Sequence, residues 1–280
     1  MDILERIHKL YPSLTRKQKG IADYLLDNPE DICYITLAQL SQQTGASELT
    51  ILRFCQKMGC ESFLKLKDSF REYTQWMVKH LSSSAYFVPE VDSKNITGKQ
   101  ELLKAICTEE ASAAVEFFST VDLESIISAV QMIRKSRHIL VMAHDISKIP
   151  GEFLVFRLRL LYFDAELIDL ADLTETQSRL QDLEEGDLVV FFAFPKYYYP
   201  LASIARKVIE KGIPILGITN NPSSPIAEYS SQLLLCQTST RVFYNTLTLP
   251  MAMLNLLASY LVIDTVPDSD REEFMDTLSS

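Results

Sequence analysis

Residues Thr44–Gly59 read TGASELTILRFCQKMG. Taking Gly45 as a turn residue places Leu40 and Ser41 at the hydrophobic and small positions where a preceding helix crosses a following one. Ala46, Ile51 and Phe54 then fall at the inward positions after the turn. This is the pattern of a helix-turn-helix, in which glycine permits a positive φ and a small residue permits close crossing. At about 100° per residue, Ile51, Phe54, Cys55 and Met58 centre one face of the second helix. The opposite face holds Leu49, Arg53 and Gln56, flanked by Leu52, Thr50 and Lys57. Two leucines are out of place on a face meant for water. They suit a face that meets base-pair edges, where apolar side chains contact the thymine methyl while Arg and Gln bond bidentately to guanine and adenine.

The surrounding sequence supports a small helical domain. Leu14, Ile21, Ala22 and Leu25 recur at helical spacing, and Asn28-Pro29 stops that helix because a residue before proline avoids the α region. Thr36, Ser47 and Ser62 stand as N-caps of three further helices. The run LSSSAYFVPEVDSKNITGKQ, residues 81–100, lacks periodicity and is expected to be an interdomain linker. Helices are expected from about Glu101 to Ser119 and after an Asp122 cap.

From Arg137 the rhythm changes. RHILVMA, AELIDL, DLVVFFAF, PILGITN and QLLLCQ are strand-length and apolar on both faces, as strands of a covered parallel sheet are. Helical stretches between them predict a doubly wound α/β domain, whose ligand crevice lies beyond the C-terminal strand ends. The expected organisation is residues 1–80 for DNA binding, 81–100 as linker, and 101–280 for effector binding and dimerisation.

Composition sharpens this division. With 280 residues, 47% of them hydrophobic, two cores are affordable. Residues 1–80 carry 11 Lys/Arg against 10 Asp/Glu, whereas residues 81–280 carry 16 against 27. The acidic part is a poor partner for nucleic acid or an anionic membrane. No uncharged run approaches the roughly 20 residues of a membrane span, and the start MDILERIHKLYP is unlike a signal peptide, so a cytoplasmic protein without a membrane partner is expected. The five cysteines and four histidines are scattered without metal-ligand spacing, and the eight glycines form neither G-x-G-x-x-G nor a P-loop. No metal, cofactor or nucleotide site is expected.

The two parts together resemble the RpiR/MurR family of bacterial transcription regulators, which join an N-terminal helix-turn-helix to a SIS (sugar isomerase) domain that senses phosphosugars. The family string S-E-x-T-[VI]-x-R-F-C-x-K-[LM]-G is met by Ser47 through Gly59, and IPILGITNNPSSPIA, residues 213–227, is similar to the SIS segment ending in S-P-[LI]-A. The resemblance implies a dimer on a pseudo-palindromic operator. Ser47 is expected to present helix amides to phosphate, Thr50, Arg53 and Gln56 to read base edges, and Lys57, Lys65 and Lys67 to anchor the backbone. Thr36, Glu48 and Leu49 complete the expected contact set.

The ligand loops depart from the family. The usual G-x-G-x-S-S is Ala143-His144-Asp145-Ile146-Ser147, and the usual S-x-S-G-x-T is Ala193-Phe194-Pro195-Lys196-Tyr197-Tyr198. His144, Asp145, Ser147, Lys196, Tyr197 and Tyr198 are the expected ligand residues. Three readings stay open: a less polar or aromatic metabolite, a modified phosphosugar site using Ser147 and Lys196, and a domain kept for dimerisation. An isomerase would need a general base over its substrate, and His144 with Asp145 is the one pair to name for it. The nearly all-apolar helix Leu247–Ile263 must be buried by its own sheet or by a second subunit.

Overall fold

Helices form first along the chain because polar caps and apolar stripes alternate. In a computed structural model, which describes residues 2–81, 96–238, 242 and 245–265, α1 (Ile3–Leu10), α2 (Arg16–Asp27) and α3 (Leu37–Thr44) begin with capping boxes at Asp2, Thr15 and Thr36. The second helix stops at Asn28 before Pro29, and a 3-10 turn, Asp31–Cys33, leads to α3. Gly45 ends α3 at φ +64, and α4 (Glu48–Lys57) follows with Ser47 as its cap. The Ser41 hydroxyl donates to the Ala46 carbonyl at 2.7 Å and pins the turn. Next comes α5 (Phe63–Leu81), whose Lys65 amide donates to Ser62 Oγ. Ile7, Ile21, Leu25, Leu40, Ile51, Phe54, Met58, Leu66 and Phe70 are fully buried.

The chain folds as two units. The first comprises Met1–Ser83, Leu170–Leu183 and Tyr198–Glu210. It therefore contains two later helices, α9 (Leu173–Asp182) and α10 (Leu201–Glu210). Helix α9 falls outside the sequence expectations. Its stretch LTETQSRLQD offers few apolar residues, but Asp172 caps it and Leu173, Thr176 and Leu180 are buried.

The second unit holds α6 (Ile96–Thr120), α7 (Leu123–Lys135), α8 (Lys148–Leu160), α11 (Thr248–Thr265) and a five-stranded parallel sheet. Its strands are β1 (His138–Ala143), β2 (Ala165–Asp169), β3 (Asp187–Ala193), β4 (Ile215–Thr219) and β5 (Gln232–Leu235), in the order β2-β1-β3-β4-β5. All five occupy the expected apolar runs. Ile139, Val141, Leu188, Val190, Leu216 and Ile218 meet side chains of α7, α8 and α11 in one core. At β4 a Cβ on Gly217 would lie 2.4 Å from Ser230 Oγ and 2.8 Å from Leu233, so any side chain there would have to displace both.

Helix α6 starts at Ile96, earlier than the expected Glu101, and residues 96–100 of the expected linker are helical; residues 82–95 lie outside the described residues. Phe117 is its one buried side chain, while Ile96, Leu103, Val115 and Phe118 are exposed. Helix α11 is, among the described residues, the one helix long and apolar enough to cross a bilayer. Here Leu249, Met253, Leu254, Leu257 and Leu261 instead enter the core. The order of the sheet reverses between β1 and β3, which puts the crevice at their C-terminal ends.

Candidate functional site

Two places have the geometry of a site. The first is the outer face of α4. Ile51, Phe54 and Cys55 seal the inner face. Opposite them Arg53 and Gln56 are exposed, Leu49 is 58% exposed and Leu52 is 36% exposed. Ser47 Oγ accepts from the Thr50 amide and lies 2.8 Å from the Thr50 hydroxyl, so both residues serve the cap as well as the surface. Glu48 is exposed in the first turn, and Thr36 caps α3.

The three lysines separate. Lys65 is exposed, with Asp68 3.6 Å away on the same helix. Lys57 is half-buried and its Nζ donates to the Ser13 carbonyl. Lys67 is not a phosphate anchor. It is 5% exposed, and its Nζ donates to the Ile35 carbonyl at 3.1 Å and to Gln177 Oε1 at 2.6 Å. Burial and the neighbouring Arg71 charge push its pKa down to about 8. Two exposed cations outside the expected set, Arg16 and Lys17, open α2, and the string RKQK was their signal.

The second place is the crevice of the sheet. After β1, Asp145 adopts φ +52 and starts the 3-10 turn Asp145–Ser147. That is where the family pattern carries glycine, so an L side chain occupies a left-handed position at a cost of roughly 1–2 kcal/mol. Ser147 is only 4% exposed. Lys148 Nζ donates to Asp169 Oδ2 at 2.6 Å, a bond that raises its pKa, while His144 Nδ1 faces Asp169 Oδ1 at 3.9 Å. Burial lowers the His144 pKa against the opposing pull of Asp169 and Asp145.

After β3, the Tyr197 hydroxyl donates to Asn220 Oδ1 at 2.7 Å, Asn245 Nδ2 donates to the Pro195 carbonyl, and Lys196 is half-buried. Tyr198 does not join them. It is 7% exposed and lies beside Tyr34 of the first unit, because the chain leaves the crevice between Tyr197 and Tyr198. The crevice thus brings His144, Asp145 and Ser147 together with Lys148 and Asp169, and Tyr197 with Asn220. A cavity of about 270 Å³ opens at the ends of β4 and β5, lined by Glu116, Phe117, Thr120, Asn220, Cys236 and Gln237 among others. Glu116 and Gln237 carried no pattern in the sequence that set them apart.

Comparison with known proteins adds the family. Residues 1–75 match the helix-turn-helix domain of the rpiR family, and residues 132–260 match the SIS domain. An uncharacterized HTH-type transcriptional regulator of Haemophilus influenzae is 24% identical over 236 residues, covering 84% of this chain and 79% of that protein. One of Thermotoga maritima is 25% identical over 277 residues, covering 95% and 90%. The solved structure of Vibrio vulnificus NanR complexed with ManNAc-6P has a TM-score of 0.53 at 17% identity, over 99% of this chain and 96% of that one. With the turn, the exposed helix face and the parallel sheet in place, the chain belongs to the rpiR family of helix-turn-helix regulators that carry a SIS domain.

Proposed function

We propose that this protein is a cytoplasmic, homodimeric transcription regulator that reads a pseudo-palindromic operator through α4 and senses a small molecule in its SIS crevice. Residues 1–80 are its DNA-binding part and 101–280 its effector-binding and dimerising part. The observation that carries the reading is the exposed pairing of Leu49 and Leu52 with Arg53 and Gln56, on a helix whose opposite face is fully packed. A face of that composition fits a major groove. Thr50, Arg53 and Gln56 read bases, while Ser47, Lys57 and Lys65, joined by Arg16 and Lys17, position the phosphates. The exposed apolar residues of α6 support a second copy, and two copies present paired recognition helices.

The crevice favours an effector other than an ordinary sugar phosphate. Asp145 and Asp169 place carboxylates where a phosphate would approach, Lys148 is engaged by Asp169, and Ser147 is buried. NanR is described with ManNAc-6P, so a modified phosphosugar site is the second reading. We read the chain as non-enzymatic on the strength of its helix-turn-helix part and of relatives named as transcriptional regulators.

The test is selection of bound sequences from random DNA, followed by titration of Arg53→Ala. The variant should lose about 1–3 kcal/mol on the selected site and relax preference at one base. Equal losses on selected and random DNA would overturn direct readout by Arg53.

A further inference from the structure

The run Tyr197-Tyr198-Tyr199 divides three ways. Tyr197 stays in the crevice, its hydroxyl on Asn220. Tyr198 is buried beside Tyr34, and Tyr199 stands next to the Glu30 carboxylate. Those partners flank Asp31, which is 2% exposed. Ser203, Arg206 and Lys207 stand at i, i+3 and i+4 on α10 and so share one face. Arg206 reaches Asp31 at 2.9 Å, Lys207 at 3.0 Å, and the Ser203 hydroxyl also donates to it. Tyr24 donates to the other carboxylate oxygen at 2.6 Å. From Asp31 the chain runs through buried Ile32, Cys33, Tyr34 and Ile35 to Thr36, the cap of the first helix of the helix-turn-helix.

We propose that the patch formed by Tyr198, Tyr199 and α10 on Glu30–Tyr34 is the element through which the crevice loop acts on the DNA-reading helices. The inference rests on the functional reading above and assigns its regulation to named residues. Tyr197 and Tyr198 are joined by one planar peptide unit, so only the two backbone dihedrals between them separate the crevice hydrogen bond from the residue packed beside Tyr34. Within its apolar surroundings the patch is pinned by a buried carboxylate with directional partners, so a change in that geometry is not made up by small shifts. An occupant that takes Asn220 from Tyr197 therefore biases the attachment of Glu30–Tyr34.

Hydrogen–deuterium exchange on the full chain tests this without the effector. Tyr197→Phe and Asn220→Ala remove the same hydrogen bond from its two ends, and neither residue is a partner of Asp31. Each should accelerate exchange of amides 28–36 several-fold, and neither should add to the acceleration that Asp31→Asn causes alone. Acceleration confined to the loop and the end of β4 in both variants would overturn the proposal. Using two variants guards against a folding defect in either. Gel retardation of the wild type with duplex DNA is read separately: no retardation would sink the regulator reading and leave the exchange result to decide the coupling.

Discussion

Asp31 and Asp169 each meet two basic side chains, and their surroundings set what those contacts mean. Asp31 is 2% exposed against Arg206 and Lys207; Asp169 is 37% exposed against Lys148 and His144. In the first cluster water cannot replace a lost partner, so every contact is structural. In the second it can, so breaking the ion pair costs little. Burial, not residue type, separates a fastening from a contact that water can replace.

The largest test of that contrast is Asp31→Ala. Removing the carboxylate leaves Lys207, 10% exposed, without its counter-ion, and a loss of about 3–5 kcal/mol is expected, nearer 3 because Arg206 can turn toward water. Urea unfolding checks it, and a loss below about 1 kcal/mol would make the two clusters alike. The same carboxylate sets an acid limb. Burial pushes the Asp31 pKa up, but the Lys207 charge and the hydrogen bonds from Ser203 and Tyr24 outweigh it and hold it below the ordinary value. Its contribution is therefore complete above the ordinary carboxylate range and disappears as pH falls through the lowered folded value. Asp31→Asn should flatten that limb.

Lys67 extends the comparison to a buried cation. Its folded pKa of about 8 lies below the ordinary lysine value, so the unfolded chain binds more protons between the two. Lys67 then contributes stability that grows with pH above about 8, by at most about 1.4 kcal/mol per unit, against the opposite slope of the buried Cys33, Cys55 and Cys236 thiols, so the wild type should gain on Lys67→Met as pH rises. A wild-type-minus-variant difference that stays flat from pH 8 to 9.5 would contradict the burial of the ammonium.

Nothing local marks Lys67 or Asp31 as buried, which shows where sequence reading stops. The helix-turn-helix was legible because Gly45, Ala46, Ile51 and Phe54 lie within a stretch of ten residues, and the strands because each is a short apolar run between helices. Lys67 is covered by Gln177, 110 residues away, on a helix too polar to be expected. Tyr198 looks like a crevice residue by position, and its burial beside Tyr34 depends on where the loop crosses into the other unit. The exposed outer face of α4 was readable because local packing leaves it over; the crevice was not, because its polar groups are set by partners from four strand ends.

A smaller effect is expected at Asp145. Asp145→Gly relieves the left-handed residue and should gain about 1 kcal/mol in thermal unfolding. It also withdraws a carboxylate from the crevice, so affinity for a sugar phosphate, read by calorimetry, should increase. Unchanged stability would mean that the Asp side chain compensates locally for its backbone.

The smallest effect belongs to Asp169→Asn. Both partners are partly exposed and free to turn to water, so the loss should stay under about 1 kcal/mol. Its pH dependence is more telling. Burial lowers the His144 pKa and Asp169 opposes that lowering. A lowered histidine binds fewer protons folded than unfolded, so stability falls as pH drops below the ordinary histidine value. Without Asp169 the folded pKa drops further, and the fall should deepen between neutral pH and the carboxylate range. Wild-type and variant unfolding curves that stay parallel down to pH 5 would show that His144 does not sense Asp169, and the crevice cluster would reduce to the Lys148 pair alone.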